Sequence, residues 1–346
     1  MFRKLAVLVV VVLAASMGVA ASANADDDST DRLTVMTRNL YVGSNFTHAL
    51  TAQTPTEFVQ GVSRIWSNVK QTDFRTRAKA IADEIAARRP DVVGLQEASL
   101  WERLTGPQPM ELDYLRILLA ELDARGLSYR AASRVEGFTV TAPAIENGEL
   151  VTLRLTDRDA ILVRDDSREL TISSATGQNF AARLSIPTAI GVTIEVPRMW
   201  TQVEGSLDGR PFRVVNTHLD PDSPAIQVQQ AQELLAGPYA TNRALIALGD
   251  FNSAADGSST GTYALLTGAG LTDAWGDAGG FTCCQAELLD NVSSQLSERI
   301  DLVMTNAGSR AKETKVVGDR SQDRMAGLWP SDHAGVVAEL KLQSKK

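Results

Sequence analysis

Apolar and polar positions alternate over Leu33-Thr34-Val35-Met36-Thr37-Arg38, which predicts a strand. The spacing then lengthens to that of a helix. Ala78, Ile81, Ala82 and Ile85 mark one face of a helix over 74–88, with Asp73 as N-cap and Pro90 as its stop. Val92-Val93-Gly94-Leu95 follows as a short buried strand. A second helix is predicted over 112–124, with Leu115, Leu118, Leu119 and Leu122 inward and Gly126 near its end. From 129 to 202 the chain is β-rich, with candidate strands at 151–155, 160–163 and 192–196. Val203 and the run 212–217 flank Asp208-Gly209, a dipeptide favoured in tight hairpins. A helix over 225–235 ends at Gly237 and Pro238, and strands are expected at 244–248, 299–304 and 335–340. Strands and helices mix without strict βαβ alternation. That predicts a layered α/β fold, with sheets packed on each other and helices outside.

The start of the chain has a different pattern. Arg3 and Lys4 precede an apolar run over 5–15, then Ala23-Asn24-Ala25 and the acidic run Asp26-Asp27-Asp28. This is the layout of a secretory signal peptide over 1–25. A membrane anchor is the competing reading, but the run falls short of the ~20 residues a spanning helix needs. The expected mature chain, 26–346, is one secreted domain without a transmembrane anchor, because no repeat, linker or composition break divides it. Asp26 to Asp28 are read as a charged terminus only.

Hydrophobic residues make up 44% and charged residues 22%, a composition that folds. The formal net charge is −8, and removal of Arg3 and Lys4 leaves −10. Bulk attraction to nucleic acid or anionic membrane is thereby excluded, although a bound metal could supply positive charge locally. The two cysteines, Cys283 and Cys284, are adjacent and cannot staple distant loops. They form either a vicinal disulfide at the lip of a site or two ordinary loop thiols.

Polar residues recur where the strands stop. Asn39 follows the first strand and Gln96-Glu97 the second. Asn216-Thr217-His218 and Gly249-Asp250-Phe251-Asn252 end two later ones. Arg299-Ile300-Asp301 opens another, and Ser331-Asp332-His333 precedes the last. Two of the three histidines and at least four carboxylates thus share one structural position. Carboxylates with amides suit a hard divalent cation, and histidines beside it suit proton transfer.

In this order the motifs resemble those of the endonuclease/exonuclease/phosphatase superfamily, which includes pancreatic-type deoxyribonuclease. The resemblance covers residues 33–341. It implies a four-layered αββα sandwich with two central, mostly antiparallel or mixed β-sheets. It also implies phosphoester hydrolysis dependent on Mg²⁺ (or Mn²⁺). Carried over residue by residue, Glu97 resembles the principal metal carboxylate, with Asn39 as its amide neighbour and Asp332 as a further ligand. Asp250 and Asn252 resemble the pair that orients the nucleophile and holds the phosphate. His333, oriented by Asp301, resembles the general base or phosphate contact. His218 resembles the general acid or transition-state donor. Glu136 and Asp159 are candidates for the acidic partner of His218.

Several residues are read blandly. His48 is taken as solvated or locally bonded, Arg75 and Arg77 as a solvated helix face, and Met199 and Trp200 as strand core. The expected activity is that of a nuclease or other phosphodiesterase. The alternatives are a sphingomyelinase-like hydrolase of lipid headgroups or small phosphate esters, and a non-catalytic binding protein on the same scaffold. No stable protein partner is implied, and a monomer is expected.

Overall fold

The structure, a computed structural model, describes residues 32–106, 108–276 and 280–343; the expected signal peptide and Asp26 to Asp28 lie outside them. The chain opens with β1 (Arg32–Asn39), the short helix α1 (Thr47–Leu50), α2 (Pro55–Gln71) and α3 (Phe74–Arg88). The Thr54 side chain caps α2 by accepting from the Glu57 N–H, and Asp73 caps α3 by accepting from Thr76. Next come β2 (Val92–Gln96), β3 (Leu100–Arg103), β4 (Met110–Asp113) and α4 (Tyr114–Asp123). The helix expected over 112–124 therefore starts later. Leu112 pairs with Trp101 in a strand, and Asp113 caps the helix.

β5 (Tyr129–Glu146) and β6 (Glu149–Arg164) form a long hairpin. Its turn residues, Asn147 and Gly148, both have positive φ, as a tight two-residue turn requires. The strands expected at 151–155 and 160–163 are parts of β6. The charged Asp157-Arg158-Asp159 between them reads as a break, yet all three are buried within the strand. Then follow β7 (Leu170–Asn179), β8 (Leu184–Pro187), β9 (Thr193–Val196), β10 (Met199–Leu207) and β11 (Arg210–His218). The chain continues through α5 (Pro224–Ala236), β12 (Ala244–Asp250), α6 (Thr262–Gly268) and β13 (Thr272–Asp273). It closes with β14 (Asp301–Thr305), β15 (Ser309–Val317) and β16 (Gly335–Leu342).

One sheet runs β15-β16-β1-β2-β6-β3-β4 with β5 on β6; the other runs β13-β14-β12-β11-β10-β7. Both are mixed, since β1/β2 and β11/β12 pair parallel among antiparallel neighbours. Three apolar cores fix the layers. Ile65, Ile81 and Leu118 of the helices pack on Met36, Leu95 and Leu162 on the outer face of the first sheet. Its inner face, with Leu33, Val35 and Ile161, meets Val214, Ile246 and Val303 of the second. Ala231, Leu234 and Leu266 of α5 and α6 cover that sheet's outer face at Val215, Ala247 and Leu302. The order helix, sheet, sheet, helix is the expected αββα sandwich. Among the described residues, no helix is long and apolar enough to cross a membrane.

Candidate active site

Strand register gathers the motif residues on one rim. Asn39 stands opposite Gln96 across the parallel β1/β2 pair. In the facing sheet His218 stands opposite Asp250, and Asp250 opposite Asp301. The backbone at these strand ends is unusual: φ is +54° at Glu97 and +47° at Asn252, where non-glycine residues seldom sit. At Gly249 φ is +146°, and a Cβ there would overlap the backbone of Thr217. For non-glycine residues such conformations cost about 1–3 kcal/mol each, and they cluster at functional sites.

Hydrogen bonds then connect the two sheets. The Asn39 side-chain amide donates to Glu97 at 3.2 Å and to Asp250 Oδ2 at 3.1 Å. Asp250 Oδ1 accepts from the Asn252 N–H at 2.9 Å, and Asn252 Nδ2 donates to the Leu219 carbonyl. The Nε2 atoms of His218 and His333 lie 3.6 and 3.7 Å from Asp250 Oδ2. His333 Nδ1 is 2.8 Å from Asp301 Oδ2, and its Nε2 is 3.9 Å from Asp332. Below this rim, Gln96 Nε2 donates to Asn216 Oδ1, while Asn216 Nδ2 donates to Leu95 O and Thr201 Oγ1. These two residues are a buried polar bridge between the sheets.

The electrostatics are those of crowded acid. Burial, with Asp332 and Asp157 nearby, pushes Glu97 up to about 7. Burial and Asp301 push Asp250 up to about 6. Burial also raises Asp332, Asp157 and, further, Asp159. Asp301 Oδ1 is buried without a hydrogen-bond partner among the described residues. This donor set is short of positive charge and rich in carboxylate oxygen, which fits a hard divalent cation; the Asn39 Oδ1 accepts from the Tyr41 N–H at 2.9 Å. The two histidines diverge. Burial, Arg198 and His333 hold His218 well below the ordinary value, so its ring is neutral. Burial opposes protonation of His333, but Asp301, Asp332 and Asp250 outweigh it and raise the ring well above the ordinary value.

Several sequence-based assignments change. Glu136 is exposed and pairs with Arg134 at 3.7 Å, so it is no partner of His218. Asp159 is buried, and burial and Asp157 raise it well above the ordinary carboxylate range against the opposing charge of Arg198. The groups at His218 are instead Asp250, 3.6 Å from its Nε2, and Arg198, whose Nη1 lies 3.2 and 3.1 Å from the two ring nitrogens. Register explains this placement, because Met199 of β10 pairs with His218 of β11. Arg77 is fully buried rather than solvated, and Arg75 is exposed as expected. Arg77 donates to the carbonyls of Leu40, Tyr41, Thr72 and Pro330, tying the loop after Asn39 to the segment before Asp332. His48 bonds a remote partner, Glu287, at 2.7 Å. Met199 and Trp200 are strand core as expected. The sulfurs of Cys283 and Cys284 are bonded to each other and lie 3.7 and 3.9 Å from His333 Nε2, at the site.

The endonuclease/exonuclease/phosphatase family profile matches residues 59–333. The chain belongs to this family. Its members hydrolyse phosphoesters, nucleic acids among them, and are generally dependent on divalent metal. The match spans Glu97, His218, Asp250, Asn252, Asp301, Asp332 and His333, while Asn39 precedes it. No curated protein matches the chain in sequence. A family member from Bacteroides thetaiotaomicron of known structure is 18% identical, with a TM-score of 0.58 over 90% of this chain and 98% of that one. A mannosyl-6-phosphatase from the same organism is 19% identical, with a TM-score of 0.53 over 89% and 99%. D. rerio TDP2 in complex with a single-strand DNA product is 16% identical, with a TM-score of 0.52 over 89% and 98%. These likenesses establish the shared fold.

Proposed function

We propose that this protein is a secreted phosphodiesterase dependent on Mg²⁺ (or Mn²⁺). The observation that carries the reading is the convergence of Asn39, Glu97, Asp250, Asp301 and two histidines on one rim. Glu97, Asn39 and Asp332 would hold the metal. When bound, the metal supplies positive charge that stabilises the anionic transition state and acidifies water. Asp250, locked by the Asn252 N–H, would orient the attacking water, and Asn252 would help hold the phosphate. The water oxygen bonds to phosphorus and releases a proton to the site's carboxylates, the P–O bond to the alcohol breaks, and the leaving oxygen takes up a proton in exchange, so that none is gained or lost overall. Of the two roles open to His333, phosphate contact suits a protonated ring held by Asp301. Arg198 beside the neutral His218 adds a fixed donor to charge developing on phosphate oxygens.

The nuclease chemistry is supported by the family, and TDP2 is a neighbour solved with a DNA product. A smaller phosphoester is favoured by the acidic chain and by an apolar cavity beside Glu97 and Asp332. A panel of plasmid DNA, RNA, sphingomyelin and simple phosphate esters, each with Mg²⁺ and with chelator, tests the reading. Hydrolysis of at least one substrate, lost with chelator and impaired in Glu97→Ala, is expected. Rates indifferent to chelator would contradict it. The secreted form is proposed to be a monomeric domain, 26–346, without a stable protein partner. Met1 retained on exported protein, by N-terminal sequencing, would refute processing after Ala25.

A further inference from the structure

A cavity of about 540 Å³ opens directly beside the acidic rim. Glu97, Asp157, Arg198 and Asp332 line its polar edge. Elsewhere its wall is mostly apolar, with Asn45, Asp222, Gln285 and Glu287 also at its edge, and the apolar part comes from three separate parts of the fold. The α1–α2 region gives Phe46 and Phe58, β5 gives Phe138 and Val140, and the β8–β9 hairpin gives Ile186 and Ile194. In β5 the alternation is strict: Phe138, Val140 and Ala142 line the cavity, while Thr139 and Thr141 between them do not. β8–β9 pairs with neither large sheet. A two-stranded hairpin is marginal alone, yet here its partly buried Ile186 and Ile194 face a cavity rather than a filled core. Size and lining are those of a small-molecule pocket, and a phosphate at the carboxylate edge would have this pocket next to it.

We propose that the cavity takes the aliphatic chain of a single-chain amphiphilic phosphoester, presented as a monomer, with its phosphate at the acidic rim. This rests on the reading of the rim as a phosphoesterase centre. The cavity selects the substrate, and the rim residues act on the phosphate. Burial of each methylene in an apolar site is worth about 0.8 kcal/mol, which is roughly a fourfold gain in affinity per CH₂ until the space is filled. A nucleotide or sugar phosphate gains nothing comparable there, because its polar groups would lose water without finding partners.

Two measurements separate the cavity from the chemistry. The first is calorimetric titration of the chelated protein with methyl, butyl, octyl and dodecyl phosphate, below their micelle concentrations. Dodecyl phosphate should bind at least a hundredfold more tightly than methyl phosphate. Ala142→Phe, which fills the cavity away from the rim, should abolish that difference without lowering Tm. Equal affinities across the series would overturn the proposal. The second is hydrolysis of the matching alkyl 4-nitrophenyl phosphodiesters with Mg²⁺. Here kcat/KM should climb with chain length in the wild type and stay flat in Ala142→Phe. A flat wild-type series with active turnover would overturn the cavity's role and leave the catalytic reading standing. Graded binding without any hydrolysis would keep the cavity as a chain-binding site and overturn the catalytic reading.

Discussion

At the residue scale the site is a set of single side chains whose chemistry makes sense only together. His218 and His333 are 115 positions apart by their numbers, yet both stand within 3.7 Å of one carboxylate oxygen of Asp250. One ring is held neutral and the other protonated, so the two cannot substitute for each other. Loss of a positioned donor to the transition-state phosphate costs about 10²–10³ in rate, and loss of general acid–base help ~10²–10⁴. His218→Ala and His333→Ala should therefore each lower kcat at least about a hundredfold with little change in Tm. Asp301→Asn should also lose activity, because an amide can hold the imidazole in the wrong tautomer. Unchanged turnover in both histidine variants would end the proposed mechanism. These residues were legible in the sequence because each follows or precedes a recognisable strand. Arg198 and Asp157 were not. A lone arginine before a strand and a carboxylate between two apolar runs both look solvated, and only cross-strand register turns them towards His218 and Glu97. Arg77 was misread for a related reason. Its helical position looks like a charged face, but the carbonyls it satisfies belong to loops far away in sequence.

At the element scale, two sheets must be held at a fixed spacing for Asn39 and Asp250 to touch. Apolar packing between Val35, Ile161, Val214 and Ile246 has no directional preference, so it cannot set that register alone. The Gln96–Asn216 bridge is directional. Gly94 beside it leaves the necessary room, since a Cβ there would overlap Asn216 and Leu248. Gln96→Leu would leave Asn216 Oδ1 buried without that donor. The expected loss is about 1–3 kcal/mol, read as a lower midpoint in denaturant, with Mg²⁺ affinity also weakened. An unchanged midpoint would show that the bridge is not needed. Elements were legible where local chemistry marks them: α3 by Asp73, the β10–β11 hairpin by Asp208-Gly209, and α5 by Gly237-Pro238. The helix over 55–71 was not expected, although Val62, Ile65, Trp66 and Val69 carry helical spacing behind Thr54-Pro55. The length of β6 was hidden because its buried Asp157-Arg158-Asp159 imitates a turn.

For the whole molecule, the order of layers followed from the mixture of strand and helix patterns together with the family resemblance, whereas the distribution of charge required the three-dimensional arrangement. Some carboxylates stabilise the fold when ionised, and others oppose it. Glu146, at the end of β5, receives hydrogen bonds from Trp66 and Lys70 of α2 and from Arg103 of β3. Burial works against its charge, but these donors hold it at about 2, below the ordinary 4.5. Its contribution is fully present above pH 4.5 and is lost as pH falls towards 2. Glu97 at about 7, and Glu84 and Asp250 at about 6, act in the opposite sense. Their folded values exceed the unfolded ones, so the folded protein holds protons that the unfolded chain has released. Stability must then fall as pH rises from about 4 to 7. His333, also raised, continues that fall above 6.5, while the lowered His218 opposes it below 6.5. A divalent cation at the rim would remove the penalty at Glu97 and Asp250, but not at Glu84, whose partner is Arg38. Melting curves of chelated protein between pH 3 and 8 should therefore peak under mildly acidic conditions and decline towards neutrality. Saturating Mg²⁺ should recover much of that decline at pH 7–8 and almost none at pH 4, where the ligands are protonated. Glu97→Gln should raise the neutral Tm of the chelated protein and abolish most of the Mg²⁺ effect. Glu146→Gln should lower Tm above pH 4.5 with the Mg²⁺ effect intact. A chelated protein equally stable from pH 4.5 to 7.5, with no response to Mg²⁺, would mean that the rim carboxylates are not an electrostatically strained cation site.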